Sequence, residues 1–210
     1  TIPSVDFIFL GIKPQNLSEL KEIFFNKKLG NTTLVSMLAG TSVKKLENNT
    51  NINQVVRLMP NTAIAQGSGC TTIFFNSVIS NEIKGQLSKL LAPLGETIIL
   101  TSEEALDKVT PVNGSATAII FELASYMVEY LKGQNIESEM ARRIVTSTFL
   151  GSAKLMHEST KSLEELISEV TSKGGSTIKA LEFYHDKKLK ELLVQGLQES
   201  YKRVKELGQN

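Results

Sequence analysis

The feature that most limits what this chain can become is a change of hydrophobic period near its midpoint. Over residues 1–100 short apolar runs alternate with stretches of helical spacing; over 101–210 only helical spacing remains. The runs are VDFIFLGI (5–12), TLVSML (33–38), QVVRLM (54–59), CTTIFF (70–75) and ETIIL (96–100). Between them lie NLSELKEIFF (16–25), TSVKKLEN (41–48) and NEIKGQLSKLLAPLG (81–95). Nearly continuous apolar runs suit strands covered on both faces, and strands alternating with helices predict a layered α/β domain with a mostly parallel sheet. The second half reads as an all-helical domain: 116–133, 137–159, 162–170 and 177–207. Asn16 with Glu19, Thr101 with Glu104, and Ser162 with Glu165 each have the spacing of a capping box.

ATAIIFELASYMVEYLKG (116–133) is apolar on most faces, which calls for protein all around it. One chain of 210 residues offers little to surround it, so a homodimer is expected. This run carries Glu122 and Glu129 and falls short of the about 18 unbroken apolar residues that span a bilayer. A net charge of +1 gives no electrostatic case for nucleic acid or an anionic membrane. A single cysteine, Cys70, excludes an internal disulfide and fits a reducing cytoplasm, with the thiol buried and inert. The chain opens almost directly in a strand, with neither a starting Met nor a signal peptide before it. Processing, truncation or unrecorded residues each account for that opening.

In open α/β sheets ligands bind beyond the carboxyl ends of the strands. Three such ends are distinctive: GIKPQ (11–15), LAGTS (38–42) and MPNTA (59–63), each mixing small residues, hydroxyls or proline. A flat ligand can lie against backbone there; ordinary βα turns have the same composition. Lys13 reads as a phosphate ligand, a catalytic acid or a solvated cation, and Arg57, inside a strand, as a ligand or half of a buried ion pair. His157 and His185 lie far apart with no cysteine partner, so no metal site is expected. There is no G-x-S-x-G elbow, no Walker A sequence and no G-x-G-x-x-G; GSGCTT (67–72) follows no strand-to-helix turn. Asn113, Gly114 and Ser115 stand before the apolar helix, as an N-cap or as small residues at a close helix crossing. SKGGSTIKAL (172–181) joins two helices through paired glycines. It is either punctuation, with Gly ending one helix and a hydroxyl capping the next, or a site where bare N–H groups meet a carboxylate or phosphate.

In this order and spacing GIKPQ, SMLAGTS, RLMPNTA, GSGCTT, NGSA and SKGGSTIKAL resemble the pyrroline-5-carboxylate reductases, over essentially the whole chain. The resemblance implies a partial Rossmann-type domain (1–100) followed by an all-α dimerisation and substrate domain (101–210). It implies reduction of 1-pyrroline-5-carboxylate to L-proline with NADPH or NADH, in cytoplasmic homodimers that often build decamers. It places Lys13, Pro14, Met37, Ala39, Gly40, Met59, Pro60 and Asn61 on the cofactor face. Gly174, Gly175, Ser176 and Thr177 hold the substrate carboxylate, Thr177 reaches the ring nitrogen, and Asn113 lies near the imine pocket. The family's opening strand, glycine fingerprint and nucleotide-selecting basic residues are expected before residue 1. Two segments depart from the family: NGSATAI stands where S-G-S-G-P-A-Y is usual, and SKGGST where S-P-G-G-T-T is usual. Two other readings follow from these gaps: a related reductase of another imine or carbonyl, and a non-catalytic binding dimer without a complete cofactor lobe.

Overall fold

The computed structural model describes residues 5–24, 27 and 29–209. Among them one five-stranded sheet forms, with the strands side by side in chain order. The strands are β1 (Phe7–Leu10), β2 (Thr33–Ser36), β3 (Val55–Pro60), β4 (Gly69–Phe75) and β5 (Gly95–Ile99), each overlapping an apolar run of the sequence. β1–β2, β2–β3 and β4–β5 pair parallel, whereas β3–β4 pairs antiparallel. The exception has a simple cause. Residues 61–68 join β3 to β4, too few for the dozen or more a parallel crossover needs. GSGCTT therefore opens the returning strand β4 and is no phosphate loop.

Successive residues of β2 face opposite layers, as the two-residue period of a strand requires. Leu34 joins a core with Leu10, Leu17, Leu20, Leu46 and Val55, while Val35 joins one with Val56, Ile73, Leu87 and Leu91. β2 is buried throughout, as a central strand covered on both faces should be. The first layer is supplied by a 3₁₀ turn (Pro14–Glu19), α1 (Leu20–Phe24) and α2 (Val43–Thr50), and the second by α3 (Asn81–Leu91). Ser42 and Ser80 cap α2 and α3, accepting from Lys45 N–H and Ile83 N–H.

Two predicted caps move. Asn16 caps nothing, because the turn already begins at Pro14, whose fixed φ and absent N–H suit a first turn, after Lys13. α4 (Glu103–Thr110) is capped by Ser102, which accepts from Ala105 N–H, and not by Thr101. Phe25 and the opening Thr1–Ser4 lie outside the described residues.

The remaining helices are α5 (Ala116–Gly133), α6 (Ser138–Glu158), α7 (Leu163–Glu169), α8 (Ser176–Asp186) and α9 (Leu189–Gln209). The capping box at Ser162 and Glu165 forms: Glu165 N–H donates to Ser162 Oγ at 3.2 Å and Ser162 N–H to Glu165 Oε2 at 2.7 Å. The long pattern 177–207 is two helices, because Lys188 takes left-handed geometry (φ 56°) between α8 and α9. α4 runs into α5 through one π-helical turn, Pro111–Ser115.

Two compact units result: Thr1–Thr117 with Leu197–Asn210, and Ala118–Gly196. In the first, α4 packs on β3 and β4. In the second, large apolar side chains stay exposed, among them Phe121 and Tyr130 of α5, Leu150 and Leu155 of α6, and Val170. α5 buries none of its residues. No helix among the described residues is long and apolar enough to cross a membrane.

Candidate active site

The carboxyl ends of β1, β2 and β3 point the same way, so the three distinctive turns share one edge of the sheet. Lys13 and Pro14 start the turn after β1. Met37, Ala39 and Gly40 follow β2, with Met37 N–H donating to Leu10 C=O at 3.2 Å. Met59 and Pro60 end β3, and Asn61 begins the next turn. All eight residues assigned to the cofactor thus lie along one edge. Asn61 is engaged locally: its Oδ1 accepts from Ala63 N–H at 3.2 Å and Cys70 N–H at 3.3 Å.

At this edge lies a pocket of about 380 Å³. Ala39, Met59 and Pro60 form one side and Thr110, Gly114 and Ser115 another. The third wall is the end of α9, with Ser200, Arg203, Val204 and Leu207. Hydrophobic spacing carries no local signal for that wall, because these residues follow Ala39 by more than 150 positions in an ordinary amphipathic helix. Lys13, Pro14, Met37, Gly40 and Asn61 do not line this pocket. The walls are mostly small or apolar, with Arg203 as the charged side chain.

Asn113 is neither an N-cap nor a spacer at a helix crossing. It sits in the π-helical turn, is 9% exposed, and donates from Nδ2 to Met59 C=O at 2.6 Å. The same Nδ2 lies 3.5 Å from Thr72 Oγ1. A π turn widens a helix by one residue and recurs at functional sites. Here it aims a buried amide at the end of β3 and sets Gly114 and Ser115 in the pocket wall.

Arg57 resolves as a structural ion pair, the second of the two roles open to it. Its side chain is 2% exposed, with Nη1 3.0 Å from Glu103 Oε1 and Nη2 2.7 Å from Asp107 Oδ1. Glu103 Oε1 also accepts from Val43 N–H at 2.7 Å, satisfying a free donor at the start of α2. One carboxylate therefore ties β3, α4 and the helix that follows the Leu38–Thr41 turn.

The second unit holds the Ser172–Thr177 joint. Gly174 adopts φ 78°, which a side chain rarely tolerates. Gly175 is the N-cap of α8 and offers no side-chain hydrogen bond to the helix. The serine and threonine lie one and two positions inside the helix and cap nothing, so glycine takes the capping position that a hydroxyl was expected to hold. The helix start receives no side-chain hydrogen bond from its cap. The loop is held by Gly175 N–H donating to Ser172 C=O at 2.9 Å. Gly174–Thr177 thus belong to the second unit, and Asn113 and the cofactor edge to the first.

Among the described residues no group of three or more His, Cys, Asp or Glu side chains could hold a metal ion. Cys70 is partly covered; burial, and secondarily the charge of Glu96, push its thiol above its ordinary pKa. The thiolate is the reactive form. Alkylation by iodoacetamide at neutral pH is therefore expected to run slower than for a free cysteine and to speed up as pH rises, with mass spectrometry as the readout. A rate matching free cysteine would contradict this.

Residues 103–207 match the family model described as pyrroline-5-carboxylate reductase dimerisation. A pyrroline-5-carboxylate reductase of Aquifex aeolicus is 30% identical over 96% of this chain and 75% of its own length. The structure of 1-pyrroline-5-carboxylate reductase from Streptococcus pyogenes aligns with a TM-score of 0.88 at 27% identity, over 96% of this chain and 76% of that one. A Plasmodium falciparum pyrroline carboxylate reductase, solved with NADP bound, shares the fold at 21% identity, with a TM-score of 0.86 over 97% of this chain and 77% of its own. This chain belongs to the pyrroline-5-carboxylate reductase family.

Proposed function

We infer that this chain is an NAD(P)H-dependent reductase converting 1-pyrroline-5-carboxylate to L-proline, the last step of proline synthesis. Beside family membership, the observation that carries this reading is the start of α8, where Gly175 gives the first N–H groups of the helix no side-chain cap and Gly174 turns the chain in left-handed geometry just before them. A small carboxylate is the anion such a cradle suits. Gly174, Gly175, Ser176 and Thr177 hold it, and the Thr177 hydroxyl holds the proton of the ring nitrogen. Once protonated, the imine is an electrophile, so no strong acid or base is needed. When bound, the nicotinamide supplies a hydride to the imine carbon, and the C=N π pair becomes the amine lone pair.

The protein supplies orientation. Ala39, Met59 and Pro60 flank the ring, with Lys13, Pro14, Met37, Gly40 and Asn61 along the same edge, and Asn113 fixes the end of β3 beside it. Residues 1–100 supply the cofactor edge; of the expected dimerisation and substrate half, 101–210, the stretches 101–117 and 197–210 pack with that edge and wall its pocket, leaving 118–196 as a separate unit. The exposed apolar residues of α5, α6 and α7 support a homodimer. Assembly to a decamer and a cytoplasmic location are the finer parts of the proposal, and sedimentation reads the first. All the relatives named above carry one activity, which disfavours a different imine or carbonyl substrate and a non-catalytic dimer.

The test is loss of NAD(P)H absorbance on adding 1-pyrroline-5-carboxylate to the full-length protein at neutral pH. Turnover with proline as product is expected. Absence of oxidation while NAD(P)H still binds would overturn the reading.

A further inference from the structure

Gly40 is the one cofactor-edge residue whose lack of a side chain is imposed by the fold itself. It takes φ 68°, and a Cβ there would fall well inside van der Waals contact of the Val204 carbonyl and 2.9 Å from Gly208 N. The exclusion is mutual, since a Cβ on Gly208 would fall on the Gly40 carbonyl. Two backbones separated by 168 positions thus meet with nothing between them.

Neighbouring contacts point the same way. Lys45 Nζ donates to Gly208 C=O at 3.2 Å, binding the first turn of α2 to the end of α9. Ser115 Oγ lies 3.2 Å from Ser200 Oγ, so the other pocket wall is also joined to α9. Val204 is 5% exposed and is the buried residue of that helix. Gly196 offers a contrast on the same helix: a Cβ there meets nothing within 4 Å.

We propose that the last turns of α9 position the cofactor loop, with Gly208, Val204 and Lys45 as positioning residues acting through the backbone of Ala39–Thr41. The claim rests on the cofactor reading given above. It also reassigns Gly40. A helix, and not a ligand, excludes a side chain there. Ala39, which does line the pocket, keeps its place only while Gly40 stays pressed against α9.

Three variants of the full-length protein test this: Gly208→Ala, Lys45→Met and, as a control, Gly196→Ala. The first readout is hydrogen exchange of amides 38–43 without any ligand. The others are the dissociation constant for NADPH and the KM for 1-pyrroline-5-carboxylate. An overpacked methyl at a close backbone contact is expected to raise exchange at 38–43 and weaken NADPH about tenfold in Gly208→Ala, with the substrate KM unchanged. Lys45→Met should shift both in the same direction by less, and it serves alone if Gly208→Ala does not fold. Gly196→Ala should match the parent in all three. The proposal is overturned if Gly208→Ala, or Lys45→Met in its stead, behaves like Gly196→Ala. It is also overturned if exchange rises while NADPH affinity stays, or if the KM for 1-pyrroline-5-carboxylate rises together with the NADPH dissociation constant. A parent protein that binds NADPH but does not turn over the imine sinks the enzymatic reading alone, because exchange and cofactor affinity still judge the loop.

Discussion

Arg57→Ala is expected to cost about 3 kcal/mol of folding stability, read as a fall in the urea midpoint at unchanged slope. Breaking a buried pair from one side costs about 3–5 kcal/mol because the partner charge is left uncompensated. Here the partners are 33% and 22% exposed and regain water when the guanidinium goes, which places the loss at the low end. Loss of the buried side chain itself adds a cavity between β3 and α4. Arg57→Lys keeps the charge but replaces a fork by a point, and one ammonium cannot reproduce two contacts held by separate nitrogens, so roughly half the loss should remain. Arg57→Met separates packing from charge. If its stability equals the parent's, the ion pair adds nothing net, as buried pairs often do not. Arg57 Nε, which has no partner among the described residues, already lowers the worth of the network. An Arg57→Ala protein within 1 kcal/mol of the parent would show the triad to be no stronger than a surface pair.

Thr177→Ala is expected to lower kcat by about 100-fold at saturating NAD(P)H, the scale of removing one preorganised hydrogen-bonding group at the reacting atoms. The hydroxyl sits two positions into α8, in the first turn after the glycine cap, the same turn as the backbone N–H groups proposed to hold the carboxylate. Thr177→Ser retains the oxygen and should retain most of the rate. The methyl lost in that variant frees the rotamer, so a severalfold fall is acceptable. The substrate KM should move little in either variant, because the carboxylate is held by backbone donors that neither change removes. Steady-state kinetics of both proteins decide it. Equal rates for the alanine and serine variants would remove Thr177 from the ring nitrogen. A KM that climbs with kcat unchanged would make it a binding residue only.

Each strand was legible because an apolar run bounded by turn residues has few alternatives. TLVSML and QVVRLM become the central strands, and the ligand edge follows from their direction. Caps were harder to read. Neighbouring hydroxyls compete, and Ser102 wins over Thr101 although only Thr101 has the glutamate three residues on. Asn113 was noticed for its composition, but its place in a π turn was read as an N-cap or a helix-crossing spacer. A π turn leaves no mark in hydrophobic spacing, and its partner Met59 lies 54 positions away. The α9 wall was invisible for the same reason at a greater distance. The joint at Gly174–Thr177 was readable in outline, since paired glycines with following hydroxyls allow only a cap or a cradle. Hydroxyl spacing did not reveal that glycine, and neither Ser176 nor Thr177, takes the capping position.

The reversal between β3 and β4 bears on the order in which the chain assembles. Of the four strand pairs it is joined by the shortest connection, residues 61–68, and so forfeits the least chain entropy on closing. A hairpin of this kind can form in microseconds, ahead of the parallel pairs that wait for a crossover. It carries Arg57 opposite Phe74, while both acids that pair with Arg57 lie outside the ribbon. Glu103 and Asp107 reach it only when the segment 46 to 50 residues downstream coils and docks. The guanidinium stays in water until α4 covers it, so the cost of burying that charge and the acids that offset it arrive with the same helix.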